Sequence, residues 1–166
     1  MKLLSRITLL FTVFSICLVP MFAQNAKKDK AAMKAKTVQE LIQSKEYKIN
    51  VETAIPMSGK LVQLTSPYSV EIKNDSIYSY LPYYGRAYSI PYGGGSGLIF
   101  QTSISNYSEH LNKKGKHLIQ FSAETTEDSF NFTLTIFSNG SATVNVNMRN
   151  RQPITFHGDL SLEKKK

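Results

Sequence analysis

Six of the nine tyrosines fall within residues 78–97: Tyr78, Tyr80, Tyr83, Tyr84, Tyr88 and Tyr92. A tyrosine offers a flat amphipathic ring and a hydroxyl, a combination that suits sugars, peptides and flat apolar ligands. Arg86, the only arginine between Arg6 and Arg149, stands among them. Its guanidinium can hold a carboxylate or phosphate by two parallel hydrogen bonds. Gly85, Gly93, Gly94, Gly95 and Gly97 permit close backbone approach and unusual dihedral angles. Pro82 and Pro91 interrupt any strand. On this reading Tyr83, Tyr84, Arg86, Tyr88 and Tyr92 form a ligand-binding lip. An architectural reading stands beside it: the tyrosines plug a barrel end, Arg86 satisfies buried carbonyls or pairs with a carboxylate, and the glycines make a tight loop.

Other chemistry is sparse. Gly93-Gly94-Gly95-Ser96-Gly97 lacks the Lys-Ser/Thr of a phosphate loop, and Leu98-Ile99-Phe100 continues as strand rather than helix. Ser96 is not in a nucleophile elbow, because Leu98 occupies the last glycine position of that pattern. His110, His117 and His157 match no compact zinc spacing. His117 shares a strand face with Ile119 and Phe121, which places it as a satisfied histidine at a barrel end. Glu124, Glu127 and Asp128 gather at a turn, where carboxylates are expected to be solvated. No catalytic residue, metal ligand or cofactor is assigned.

The elements that must position these groups follow from periodicity. Thr37-Val38-Gln39-Glu40 fits a capping box, with Val38, Leu41 and Ile42 on one helical face. Upstream alanines and lysines allow that helix to start near residue 30. The period then changes to two: Tyr47, Ile49, Val51 and Ile55 alternate with polar residues. Short strands follow at Leu61 to Leu64, through Val70 and Ile72 to an Asn74-Asp75 turn, from Ile77, and over Leu98 to Ile104, with a turn at Asn112 to Gly115. The C-terminal half repeats the pattern in Ile119/Phe121/Ala123, Phe130/Phe132/Leu134/Ile136, Ala142/Val144/Val146/Met148 and Ile154/Phe156/Leu160. Asn139-Gly140 reads as a type I′ hairpin turn. The expected fold is mainly β, an antiparallel meander forming a barrel-like or strongly curved sheet, with one N-terminal α-helix.

Residues 1–23 read as a secretory signal: Lys2 and Arg6, an apolar run from Ile7 to Phe22, then Ala23. Residues 24–36 read as a lysine-rich linker, 37–163 as one β domain and 164–166 as a basic tail. Cys17, the single cysteine, falls inside the signal, so the mature chain has none, and export to the periplasm or cell surface is expected. The formal charge of +8 lies in the signal and the two lysine segments. Residues 37–163 carry ten basic and eleven acidic side chains, so the domain lacks the clustered positive footprint that nucleic-acid binding needs. The 166-residue length and 42% hydrophobic content fit one domain with a real core.

Leu81-Pro82-Tyr83-Tyr84-Gly85-Arg86-Ala87-Tyr88, followed by Pro91-Tyr92-Gly93-Gly94, resembles the domain-of-unknown-function family numbered 4251, small exported proteins of anaerobic Gram-negative bacteria. The resemblance covers about Thr37 to Leu162. It implies a mostly antiparallel fold and a periplasmic or surface location, and it implies no activity or site residue. The functional expectation is an exported non-enzymatic β domain that binds a small ligand, glycan or peptide through residues 78–97. An envelope structural protein, or a hydrolase of sugars or peptides using Arg86, a histidine and a carboxylate, are the alternatives. No nucleic acid, and no stable membrane span after signal cleavage, is expected.

Overall fold

The computed structural model of the chain describes residues 19–89, 97–113 and 115–162. One helix, α1 (Val19–Gln43), precedes eight strands: β1 (Glu46–Pro56), β2 (Val62–Lys73), β3 (Ser76–Leu81), β4 (Leu98–Leu111), β5 (His117–Glu124), β6 (Ser129–Ile136), β7 (Ser141–Met148) and β8 (Ile154–Leu160). Each strand pairs antiparallel with its neighbours in sequence, and β8 returns to β1, so the meander closes into a barrel. Closure gives every strand two neighbours, but β2 pairs with β3 only from Ser69 to Lys73, so its Val62–Tyr68 segment has no ladder partner on that side among the described residues.

Alternation sets the two faces. Ile119, Phe121 and Ala123 of β5, Phe130, Phe132, Leu134 and Ile136 of β6, and Val144 and Val146 of β7 are buried in one core. Stacked rings fill its middle, with Phe121 and Phe132 at 5.1 Å and Phe100 and Phe130 at 4.4 Å between centroids. The outward positions of β5 to β8 are mostly polar, among them Gln120, Asn131, Thr133, Asn145 and Thr155, with apolar Leu118 beside Thr135. That distribution is the reverse of an outer-membrane barrel, which turns its apolar side chains outward.

The two ends differ. At one end α1 closes the barrel: Val38, Leu41 and Ile42 are buried with the strand core, and the Lys34 side chain reaches the β6–β7 turn at Gly140. We call this the helix end. The other end carries the β1–β2, β3–β4, β5–β6 and β7–β8 connections and is the open end.

Four local expectations change. The Lys-rich segment is helical from Val19 onward, and Thr37 lies inside the helix, where its hydroxyl donates to the Met33 carbonyl at 3.1 Å instead of capping. In β1 a register shift between Val51 and Thr53 reverses the alternation, so Ala54 is buried and Ile55 is not. Two of the expected short strands are one long β2, interrupted between Gln63 and Tyr68, with exposed Leu61 outside it. The β6–β7 turn starts earlier than a two-residue turn: the Gly140 N–H donates to the Phe137 carbonyl at 2.8 Å. Gly140 has φ of 87° whereas Asn139 is not in the positive region, which describes a type I turn closed by a glycine bulge. Residues 1–18 of the expected signal, and the 164–166 tail, lie outside the described residues. Among the described residues no helix is long and apolar enough to cross a membrane.

Candidate functional site at the open end

Leu81 ends β3 with its side chain in the core, and Pro82, lacking an N–H, stops the ladder. The chain then turns back over the barrel rim. Tyr83 is half-buried, and its hydroxyl faces the carbonyls of Arg86 at 3.0 Å and Gln152 at 3.1 Å, donating its one proton between them. The Gln152 N–H donates to the Arg86 carbonyl at 3.0 Å, and the Arg86 N–H donates to the Gln152 Oε1 at 3.2 Å. Two residues on, the Tyr88 N–H donates to the Asn150 carbonyl at 2.8 Å, and Ala87 bridges Arg151. Residues 86–89 are therefore a strap laid antiparallel on the β7–β8 connection. Gly85 is the hinge of this turn: a Cβ there would sit 2.6 Å from the Tyr83 hydroxyl oxygen.

The β7–β8 connection is itself fixed from below. Asp128 is buried, and its carboxylate accepts the N–H groups of Ser129 at 2.9 Å, Arg149 at 3.2 Å and Asn150 at 3.1 Å. Arg151 is also buried, its guanidinium 5.7 Å from the centre of the Tyr83 ring and 3.5 Å from Glu127 Oε2. Burial raises the Tyr83 pKa above its ordinary value, while Arg151 beside it pulls the other way. The hydroxyl keeps the proton it donates. Of the three turn carboxylates expected to be solvated, Glu124 is exposed, whereas Asp128 organises backbone and Glu127 holds Arg151. Their geometry is not that of two carboxylates flanking a cleft.

The tyrosine cluster accordingly separates. Tyr78 and Tyr80 lie on β3, with Lys73 over the Tyr78 ring at 4.8 Å and Tyr80 stacked on Tyr68 at 5.4 Å. Tyr83 is architectural. Tyr84 and Tyr88 are exposed, at 37% and 66%, and Arg86 is exposed between them. Tyr92 lies outside the described residues, as do Pro91 and the glycines 93–95. Arg86, Gly85, Gln152, Met57 and Ser58 line an open groove of about 710 Å³. The architectural role foreseen for an arginine belongs to Arg151, which sequence reasoning missed. Its signal was the polar run Arg149-Asn150-Arg151-Gln152 between two apolar strands.

A second polar cluster sits under the helix end. Asn106, at φ 54°, forms a bulge in β4 between Ser105 and Ser108. The inward set changes there from Ile104 to Tyr107, which stacks on Phe121 at 6.4 Å. His117 is buried, with Nδ1 3.0 Å from Glu109 Oε1. This is the satisfied barrel-end histidine that the strand face implied. Neither residue lines the open-end groove. Tyr47 and Tyr107 place their buried hydroxyls here without a well-formed hydrogen bond. Burial, with Tyr107 beside it, raises the Tyr47 pKa well above its ordinary value. Among the described residues no three His, Cys, Asp or Glu side chains converge as a metal site.

A family model described as Domain of unknown function (DUF4251) matches residues 29–160. The crystal structure of a DUF4251 family protein from Bacteroides eggerthii superposes with a TM-score of 0.59 at 19% sequence identity, covering 78% of this chain and 87% of that one. At that identity the likeness concerns the fold. No curated protein matches the chain.

Proposed function

The chain belongs to the DUF4251 family, and we propose that it is an exported, non-enzymatic barrel that binds a ligand across its open rim. The ligand joins an anionic group to an apolar or flat portion, and a peptide with a free carboxyl terminus meets both demands. The observation that carries this reading is the fixed strap. Residues 86–89 are held to 150–152 by backbone hydrogen bonds, yet Tyr84, Arg86 and Tyr88 remain exposed. Holding the backbone while presenting the side chains reduces the ordering cost of binding. Exposed Met57 borders the same groove and adds apolar area.

The test is a thermal-shift screen on the mature protein, using a peptide pool with free and with amidated carboxyl termini, beside a panel of glycans. A native-state ligand raises the melting temperature by mass action. Free peptides are expected to shift it, and Arg86→Ala to abolish the shift without lowering the unliganded melting temperature. Equal response to amidated peptides, or response to glycans alone, overturns the peptide reading. Export is tested by cell fractionation and by mass spectrometry of the mature N-terminus, expected at Gln24.

A further inference from the structure

The first half of α1 does not pack on the barrel. Residues 28–34 are all exposed, and among the described residues the first buried position of the helix is Val38. At 1.5 Å per residue the exposed stretch is about 10 Å long. Lysine and alanine are good helix formers, which sustains helix there with little packing. Lys28, Lys30 and Lys34 make no ion pair among the described residues, and Lys36 meets Glu40 only at 4.0 Å, with both side chains largely solvated. Lys30 and Lys34 stand four residues apart, a like-charge spacing that opposes the helix. An anionic partner relieves that repulsion.

Further cations gather at the same end. The Lys34 side chain lies against Gly140, whose carbonyl accepts the Leu160 N–H at 2.8 Å. The chain beyond Leu162 is Glu163 followed by Lys164, Lys165 and Lys166. An extended residue spans at most about 3.6 Å, so the charge of this short terminus is confined to the helix end. The β4–β5 turn adds exposed Lys113, and its Gly115 lies against Ser138 of the β6–β7 turn. The carboxylates of this end are largely engaged: Asp75 with Lys45 at 4.0 Å, Glu71 with Lys73 at 3.2 Å and Glu109 with His117 at 3.0 Å. Asp29, Glu46 and Asp159 are exposed acids here. At the open end, by contrast, Arg151 is buried against Glu127.

We propose that the helix end adsorbs, without crossing, to the surface of an anionic phospholipid bilayer. Charge complementarity carries the argument, and the layout of the charge names the surface. The cations come from a projecting helix, a turn and a chain terminus, so they spread over one pole and match a plane of charge rather than a single anion. All of them are lysines. A lysine is a point charge on a flexible stem and follows mobile headgroups, whereas an arginine fork fixes one anion in one geometry. The lysines of α1 are also the first charged residues after the apolar run that ends at Phe22, and the helix is continuous with that run from Val19. A basic stretch directly following a membrane-directed segment emerges beside the bilayer, where anionic headgroups attract it. This pole is opposite the rim, and the proposal does not depend on the reading given there.

The experiment is flotation of the chain from Gln24 to Lys166 with vesicles of phosphatidylcholine alone, or of phosphatidylcholine with roughly one quarter phosphatidylglycerol. The anionic vesicles are expected to carry the protein and the neutral ones to leave it behind. Binding is expected to fall about tenfold or more between roughly 0.05 M and 0.5 M salt, as screening shortens the reach of the charges. The double variant Lys28→Gln, Lys30→Gln is expected to weaken binding about tenfold, with an unchanged melting temperature because both side chains are exposed. The rim variant Arg86→Ala is expected to float as the parent does, which separates this proposal from the peptide reading. Equal flotation with neutral vesicles overturns the proposal. So does binding that salt leaves intact, or binding insensitive to the lysine variant. Retention on an anionic polysaccharide, polygalacturonate, at a salt concentration that releases the vesicles also overturns it, and reassigns the pole to a glycan.

Discussion

The Tyr83 hydroxyl faces the Gln152 carbonyl at 3.1 Å, joining the rim strap to a connection 69 residues away in sequence. The same proton reaches the Arg86 carbonyl at 3.0 Å. One side chain thus holds both the start of the strap and the surface on which it lies. Tyr83→Phe keeps the ring over Arg151 and removes only the donor. It is expected to cost about 1–2 kcal/mol in urea unfolding, and to speed amide exchange over residues 84–89.

The two arginines of the open end are expected to behave oppositely. Arg86→Ala removes an exposed side chain and should change stability by under about 0.5 kcal/mol, while removing ligand-dependent stabilisation. Arg151→Ala removes a buried cation that packs on Tyr83 and pairs with Glu127. It should cost about 2 kcal/mol. Denaturant melts of the two variants check both outcomes; the reverse ranking would reassign the roles.

Gly158 sets the seam between β1 and β8. A Cβ there would overlap the Asn50 backbone carbonyl, beside the register shift between Val51 and Thr53 of β1. Backbone cannot rotate away as a flexible side chain can. Gly158→Ala should therefore destabilise by about 3 kcal/mol, the upper end for overpacking, and should raise exchange of the β1 and β8 amides selectively. A melt like that of the parent would refute the account.

Alkaline pH should loosen the helix end. The folded pKa of Tyr47 is raised, first by burial and then by Tyr107. The folded state therefore holds this proton more tightly than the unfolded chain does. That contribution is fully present below the unfolded tyrosine pKa, about 10, and is lost as pH rises from there toward the folded value. Tyr47→Phe, which removes a poorly bonded buried hydroxyl, should leave neutral-pH stability unchanged or higher and blunt the alkaline loss. Melting temperature against pH, read for both proteins, decides it.

Much of the barrel was legible because its strands alternate without interruption. In the strands from Ile119 to Leu160, each buried strand position falls where a period of two places it. Legibility failed where one extra residue shifts the phase. The bulge at Asn106 and the register shift after Val51 reverse inside and outside midway along a strand, which a periodic pattern cannot express. At the rim, composition marked the segment but not the fate of each ring. Whether Tyr83 or Tyr84 is held inward depends on Arg151 and Gln152, which arrive from the far end of the chain.

Closing the meander between its first and last strands has a directional outcome. The Ser161 N–H donates to the Lys48 carbonyl at 2.8 Å and the Leu160 N–H to Gly140, so the chain leaves β8 beside the point where α1 delivers it to β1. The end of β8 and the junction of α1 with β1 thus share one pole, and the strap decorated by Tyr84, Arg86 and Tyr88 occupies the antipode. A support that grips the barrel at the β8–α1 pole would aim the aromatic rim away from itself and into the surrounding medium.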